Sequence, residues 1–178
     1  MKNKLYLAFA LCGLFAAKTA FSQSATTKAV PAIQLTDPNN NPKALPGLGE
    51  KVLTIFYTDP DVKDVNDHLS NALKAKNFPQ DKYNGIGIAN CKDTWIPNAG
   101  IRMKSRQKEK QFPGSIILLD KDHIFPNAIG LADCDEAGVV VIIGKDKLVK
   151  YVKYVKTPEE SKAIINNVIQ VITAELAK

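Results

Sequence analysis

Two stretches of the chain are apolar almost without interruption. Val52-Leu53-Thr54-Ile55-Phe56-Tyr57 is β-prone throughout, the pattern of a strand covered on both faces. Residues 139–143 repeat that pattern. After the first run, Thr58-Asp59-Pro60-Asp61 supplies a helix start, with Asp59 as cap and Pro60 as first residue. Val62, Val65, Leu69 and Leu73 then share one helical face, and residues 77–79 end the helix. Near the far end, Thr157-Pro158-Glu159-Glu160 combines an N-cap, a first-turn proline and a capping-box glutamate. Ile165, Val168, Ile169, Ile172 and Leu176 form the apolar stripe of that last helix.

The middle is less regular. Residues 83–89 read as a strand loosened by Gly85 and Gly87, and residues 90–100 as a loop. Residues 101–111 read as a helix crowded with bases, and 115–119 as a strand. Asp120-Lys121-Asp122-His123 predicts a turn into a return strand over 124–131. A loop holding Cys134 follows, then the apolar strand and a Gly144-Lys145-Asp146-Lys147 turn. Residues 148–155 read as an edge strand, with Lys150 and Lys153 on it. Residues 32–36 suggest one more short strand before the turn-rich segment 37–42. Strand–helix alternation in the first half requires parallel pairs. The hairpins add antiparallel strands, so the class is α/β with a mixed sheet and helices on both faces.

The first twenty-two residues change the composition. Lys2 and Lys4 precede an apolar run over 5–17, too short to span a bilayer, and Ala20-Phe21-Ser22 fits small-x-small. Residues 1–22 therefore read as a secretory signal peptide cleaved after Ser22. Residues 23–178 remain, with 23–29 as a mobile leader. The segment takes three lysines and no acid with it, so a formal charge of +6 becomes +3. Of three cysteines, Cys91 and Cys134 remain. The expected location is periplasmic or secreted, with membrane contact only through the cleaved peptide. A nucleic-acid partner is not expected.

The element order looks like a thioredoxin fold: a three-layer α/β/α sandwich with a C-terminal β-hairpin and a C-terminal helix. Pro31, Leu35, Asp37, Leu45, Leu48 and Gly49 before the strand at Val52 resemble the entry of peroxiredoxin-like members. In thioredoxins the redox Cys-x-x-Cys follows the first core strand. Here that stretch is Tyr57-Thr58-Asp59-Pro60-Asp61, without a cysteine, and Glu136-Ala137-Gly138 replaces the usual proline before the hairpin. A closer resemblance is to the YtfJ family, exported thioredoxin-like proteins of largely undetermined function. It is carried by Pro79, Asp81 and Tyr83; Asn90, Asp93, Ile96, Pro97 and Gly100; Pro113; Asp120; Val139 to Val141 with Lys145-Asp146; and Thr157 to Glu160. The resemblance implies one thioredoxin-like domain over 23–178 and names no reaction and no cofactor.

In such a fold the loops 58–61, 90–97 and 132–137 meet at one sheet edge, where open α/β sheets place ligands. Cys91 and Cys134 lie in these loops. Strands two spacings apart are ~9.6 Å from one another, and a disulfide needs Cα atoms within ~7 Å. A displaced redox pair, a structural disulfide and two separate thiols all remain open. Asp59, Asp61, Asp93, Asp133, Asp135 and Glu136 crowd the same edge with Trp95. Such oxygens suit Ca²⁺ or Mg²⁺, yet their spacing matches no EF-hand, and no metal is expected. Arg102, Lys104, Arg106, Lys108 and Lys110 form a basic patch without an aromatic ladder. His68 and His123 have no partner cysteine or serine in sequence, so no nucleophilic constellation is visible. The first functional reading is a non-enzymatic module that binds a periplasmic protein or small ligand at the loop edge. The alternative is an atypical thiol–disulfide redox protein using Cys91 and Cys134.

Overall fold

The computed structural model describes residues 28–178. The predicted signal peptide over 1–22, and the leader as far as residue 27, lie outside them. The elements in order are β1 (Gln34–Thr36), β2 (Pro42–Ala44), β3 (Val52–Thr58), α1 (Asp67–Lys76), β4 (Tyr83–Asn90), α2 (Asn98–Gln111), β5 (Ile116–Asp120), α3 (Ile124–Ile129), β6 (Gly138–Ile143), β7 (Val149–Val155), α4 (Pro158–Ala163) and α5 (Ile165–Leu176). All seven strands join one sheet in the order β2-β1-β5-β4-β3-β6-β7. β3, β4 and β5 are parallel, while β6 runs antiparallel to β3 and β7 antiparallel to β6.

Period-two alternation along β3 feeds two cores. Leu53, Ile55 and Tyr57 join Ile86, Ile88, Leu118 and Phe125 in one, which the N-terminal segment covers with Val30, Ile33 and Leu35. Val52, Val140 and Ile142 join Leu69 and Leu73 of α1 and Val168 and Ile172 of α5 in the other. Both long apolar runs are thus buried on both sides. Each fully buried side chain of this size contributes about 1.5–3 kcal/mol of transfer free energy. A small third cluster of Cys91, Ile101 and Leu119 lies under α2.

The return strand expected over 124–131 is instead the helix α3. Asp120 causes the difference. Its carboxylate accepts the backbone N–H groups of Ile124 and Phe125, each at 2.9 Å, and so satisfies first-turn donors that a strand would have paired. Pro126 has no N–H for a ladder, and Gly130 at φ 71° stops the helix. The first helix also differs from expectation. Asp59 caps only a 3₁₀ turn over Pro60–Val62, and α1 begins at Asp67. In the turn-rich segment, Asp37 Oδ1 accepts the N–H groups of Asn39 and Asn41 at 2.8 Å, folding a hairpin that adds β2.

Candidate functional site

The parallel strands β3, β4 and β5 all end at one edge, where Thr58 faces Ala89 and Asn90 faces Asp120. β6 starts there, with Gly138 opposite Thr58. The loops after β3 and β4 and the loop before β6 therefore converge. The loop after β5 joins them.

Asp59 is fully buried. Its Oδ1 accepts the N–H of Asp61 and its Oδ2 that of Glu136, both at 2.9 Å, and its own N–H donates to Ala137 at 3.1 Å. It is a clasp between two loops, with no oxygen turned outward for a ligand. Asp61 is exposed and accepts the Thr94 hydroxyl at 3.1 Å. Asp133 and Asp135 accept backbone N–H groups inside their own loop. Glu136 is exposed and sits at φ 49°. Trp95 is 82% exposed. Among the described residues, no three His, Cys, Asp or Glu side chains gather in a way that could hold a metal ion.

Asp93, His123 and Asp120 at this edge were not legible as a group. Asp93 Oδ2 lies 2.7 Å from His123 Nε2 and accepts the Asn90 amide at 2.7 Å. Asp120 is fully buried at the end of β5. Beneath them the Tyr57 ring stacks on Phe125 at 5.7 Å, and its buried hydroxyl has no partner among the described residues. Burial, then the charge of Asp120, pushes Tyr57 ionisation far above its ordinary value. The available signal was register. An acid directly after an apolar strand parallel to β4 must emerge at the β4 loop.

Cys91 and Cys134 reach the same edge but not each other. Both are free and buried. Cys91 belongs to the cluster under α2, and Cys134 to the core that holds Phe125. Leu119 in the first cluster and Leu118 in the second alternate along β5, so the two sulfurs lie on opposite faces of the sheet. Their nearest acceptors are the carbonyls of Ala89 at 3.5 Å and Ala132 at 3.1 Å. Burial pushes both thiols up to about 11, assisted at Cys91 by Asp120. At neutral pH they are protonated and poor nucleophiles.

The basic patch is one helix. Arg102, Lys104, Arg106, Lys108 and Lys110 all lie on α2. Arg106 donates to the Pro38 carbonyl at 2.7 Å and ties the helix to the β1–β2 turn. His68 is exposed on α1.

Residues 38–175 match the model of a family described as a bacterial protein of unknown function, YtfJ_HI0045. The chain belongs to the YtfJ family. It is 31% identical over 108 residues to the uncharacterized protein YtfJ of Escherichia coli K12. That match takes in 58% of this chain and 56% of the relative, so the chain spans about half the length of that protein. Among solved structures, a putative electron transfer protein of Aquifex aeolicus is similar at a TM-score of 0.60 and 18% identity, over 84% of this chain and 96% of that one. The thioredoxin domain of a thiol-disulfide oxidoreductase from Bacteroides vulgatus gives 0.54 and 14%, over 84% and 99%. The fold of this YtfJ-family member is thioredoxin-like, and the likeness extends to the fold alone.

Proposed function

We propose that this YtfJ-family chain is an exported, non-enzymatic binding module that docks a protein partner on the loop edge of its sheet. The observation that carries the reading is Trp95, the only tryptophan, standing 82% exposed on that edge. Tryptophan is a preferred anchor of protein interfaces, and a fully hydrated indole has most to gain from being covered. Exposed Asp61, Asp93, Asp133, Asp135 and Glu136 share the edge, which favours a partner with a basic rim. The groups that would carry chemistry are occupied. Asp59 and Asp120 hold backbone donors, and the two thiols are buried and protonated. The leader over 1–22 supports a periplasmic or secreted location.

Photo-crosslinking from position 95 in intact cells tests this. A discrete adduct in the exported fraction, lost in Asp93→Lys/Asp133→Lys, is the expected result. Equal labelling from a control position on α5 would sink it. The redox alternative is tested in parallel with a disulfide-reductase assay. Wild-type activity that disappears in Cys91→Ser or Cys134→Ser would replace the binding reading.

A further inference from the structure

β4 carries two glycines whose presence the fold does not explain. Gly85 and Gly87 lie inside a strand whose ladder to β3 runs through both without a bulge, and Gly87 also pairs with Ile117 of β5. Neither sits in the left-handed region. A Cβ on Gly85 would meet its nearest neighbour at 3.6 Å, and one on Gly87 at 3.8 Å, both ordinary contact distances. Glycine in a strand interior weakens the strand, and one common reason for it is close approach of a ligand. Here each glycine has room for a Cβ and borders a cavity. They form the floor of a groove of about 880 Å³ between α1 and α2. That volume falls in the range of small-molecule sites, about 300–1,000 Å³.

The lining mixes apolar, neutral polar and basic side chains, Asn66, Ser70, Asn84 and Ser105 among the neutral polar ones. Phe56, Leu73, Ile101 and Ile117 supply apolar surface. Lys51, Lys63, Lys74, Lys104 and Lys108 also line the groove, and Asp67 is the one acid among its lining residues. Lys104 and Lys108 are exposed, one helical turn apart on α2, and form no salt bridge among the described residues. Phe112, with the Lys74 ammonium 4.3 Å from its ring centre, stands at the end of α2.

The occupant follows from what the floor can satisfy. From Ile86 onward β4 is paired on both edges, so at Gly87 it offers no free backbone groups to a peptide. A peptide lying over Gly87 would find no strand edge there for its own N–H and C=O groups, and each one left buried and unpaired costs several kcal/mol. An alkyl chain has nothing to satisfy. The lysines above it select a negative head.

We infer that the groove between α1 and α2 binds a single-chain amphiphile with an anionic head group. The chain lies over Gly85 and Gly87, and the head pairs with Lys104 and Lys108. Both a carboxylate and a phosphate ester fit this chemistry. The site is on a helix-covered face and does not depend on docking at Trp95.

Calorimetric titration of the full protein with laurate, dodecyl phosphate, dodecanol and dodecyltrimethylammonium, each below its micelle concentration, tests the proposal. The two anions are expected to bind at micromolar concentration and the cation not to bind. Tighter binding of laurate points to fatty acids, and tighter binding of dodecyl phosphate to lysophospholipid-like ligands. Gly87→Val fills the floor and should weaken anion binding by about tenfold or more, that is about 1.4 kcal/mol. Lys104→Glu/Lys108→Glu, a surface pair, should weaken the anions but not dodecanol. Trp95→Ala should leave binding unchanged. Equal affinity for the cation, unchanged binding in Gly87→Val, or no amphiphile binding at all would overturn the proposal. If Gly87→Val does not fold, the lysine pair decides alone. Self-association or capture of an acidic peptide that requires the groove, without amphiphile binding, would assign it another occupant and equally overturn it.

Discussion

The carboxylate of Asp59 reaches from the end of β3 to the backbone N–H of Glu136 at 2.9 Å. The same side chain holds the N–H of Asp61 at 2.9 Å. One buried acid therefore joins the two loops between which a thioredoxin site would lie. Asp59→Ala would leave both donors without this acceptor, at a cost of about 2–4 kcal/mol of unfolding free energy. Asp59→Asn keeps one good acceptor and should lose about half as much. Urea denaturation at constant slope measures both.

Asp120 makes a comparable set of bonds for α3. It accepts from Asp122 at 3.2 Å and from Ile124 and Phe125 at 2.9 Å. Asp120→Ala should destabilise by about 2–4 kcal/mol and release the amides of Ile124 and Phe125 to fast hydrogen exchange. Unchanged protection of those two amides would refute the capping role.

The thiols give a pH prediction. Cys91 and Cys134 are raised from 9.0 to about 11 in the folded chain. The folded state thus holds protons that the unfolded state releases. Their contribution to stability is complete below about pH 9 and is lost as pH climbs through about 11. Denaturation midpoints at about pH 8 and about pH 10.5 should show the decline, and a Cys91→Ala/Cys134→Ala variant should show less of it. Reaction with a chromogenic disulfide at neutral pH should be slow in the native protein and fast in denaturant.

Trp95 reports on the edge by itself. Being the only tryptophan and largely in water, it should emit as a solvated indole and be quenched by iodide in the native state. Trp95→Ala should shift stability by no more than about 0.5 kcal/mol. A blue-shifted, protected emission from the isolated protein would contradict the exposed placement.

The sequence made the strongly periodic parts readable. Residues 52–57 and 139–143 announce strands because no helix of that length tolerates so many β-branched and aromatic residues without a polar face. The cap at Thr157 is equally plain, and its hydroxyl accepts the N–H of Glu160 at 3.2 Å. Residues 124–131 were misleading because their apolar content suits a strand. What decides them is the buried Asp120, whose role depends on tertiary burial. The Asp93–His123 contact was invisible for a similar reason, since thirty residues separate the partners. Gly85 and Gly87 were readable as loosening a strand. Only the packing of α1 and α2 around them shows that they line a groove.

The interior strand β3 depends on distant partners. β3 is flanked by β4 and by β6, and the second pairing joins Thr58 to Gly138 and Leu53 to Ile143. A nascent chain that has not yet delivered residue 143 cannot cover the second edge of β3, however much of α1 and β4 has formed. Such non-local pairing is the slow kind to establish. Completion of the sheet therefore waits for β6, which ends at Ile143 of 178 residues.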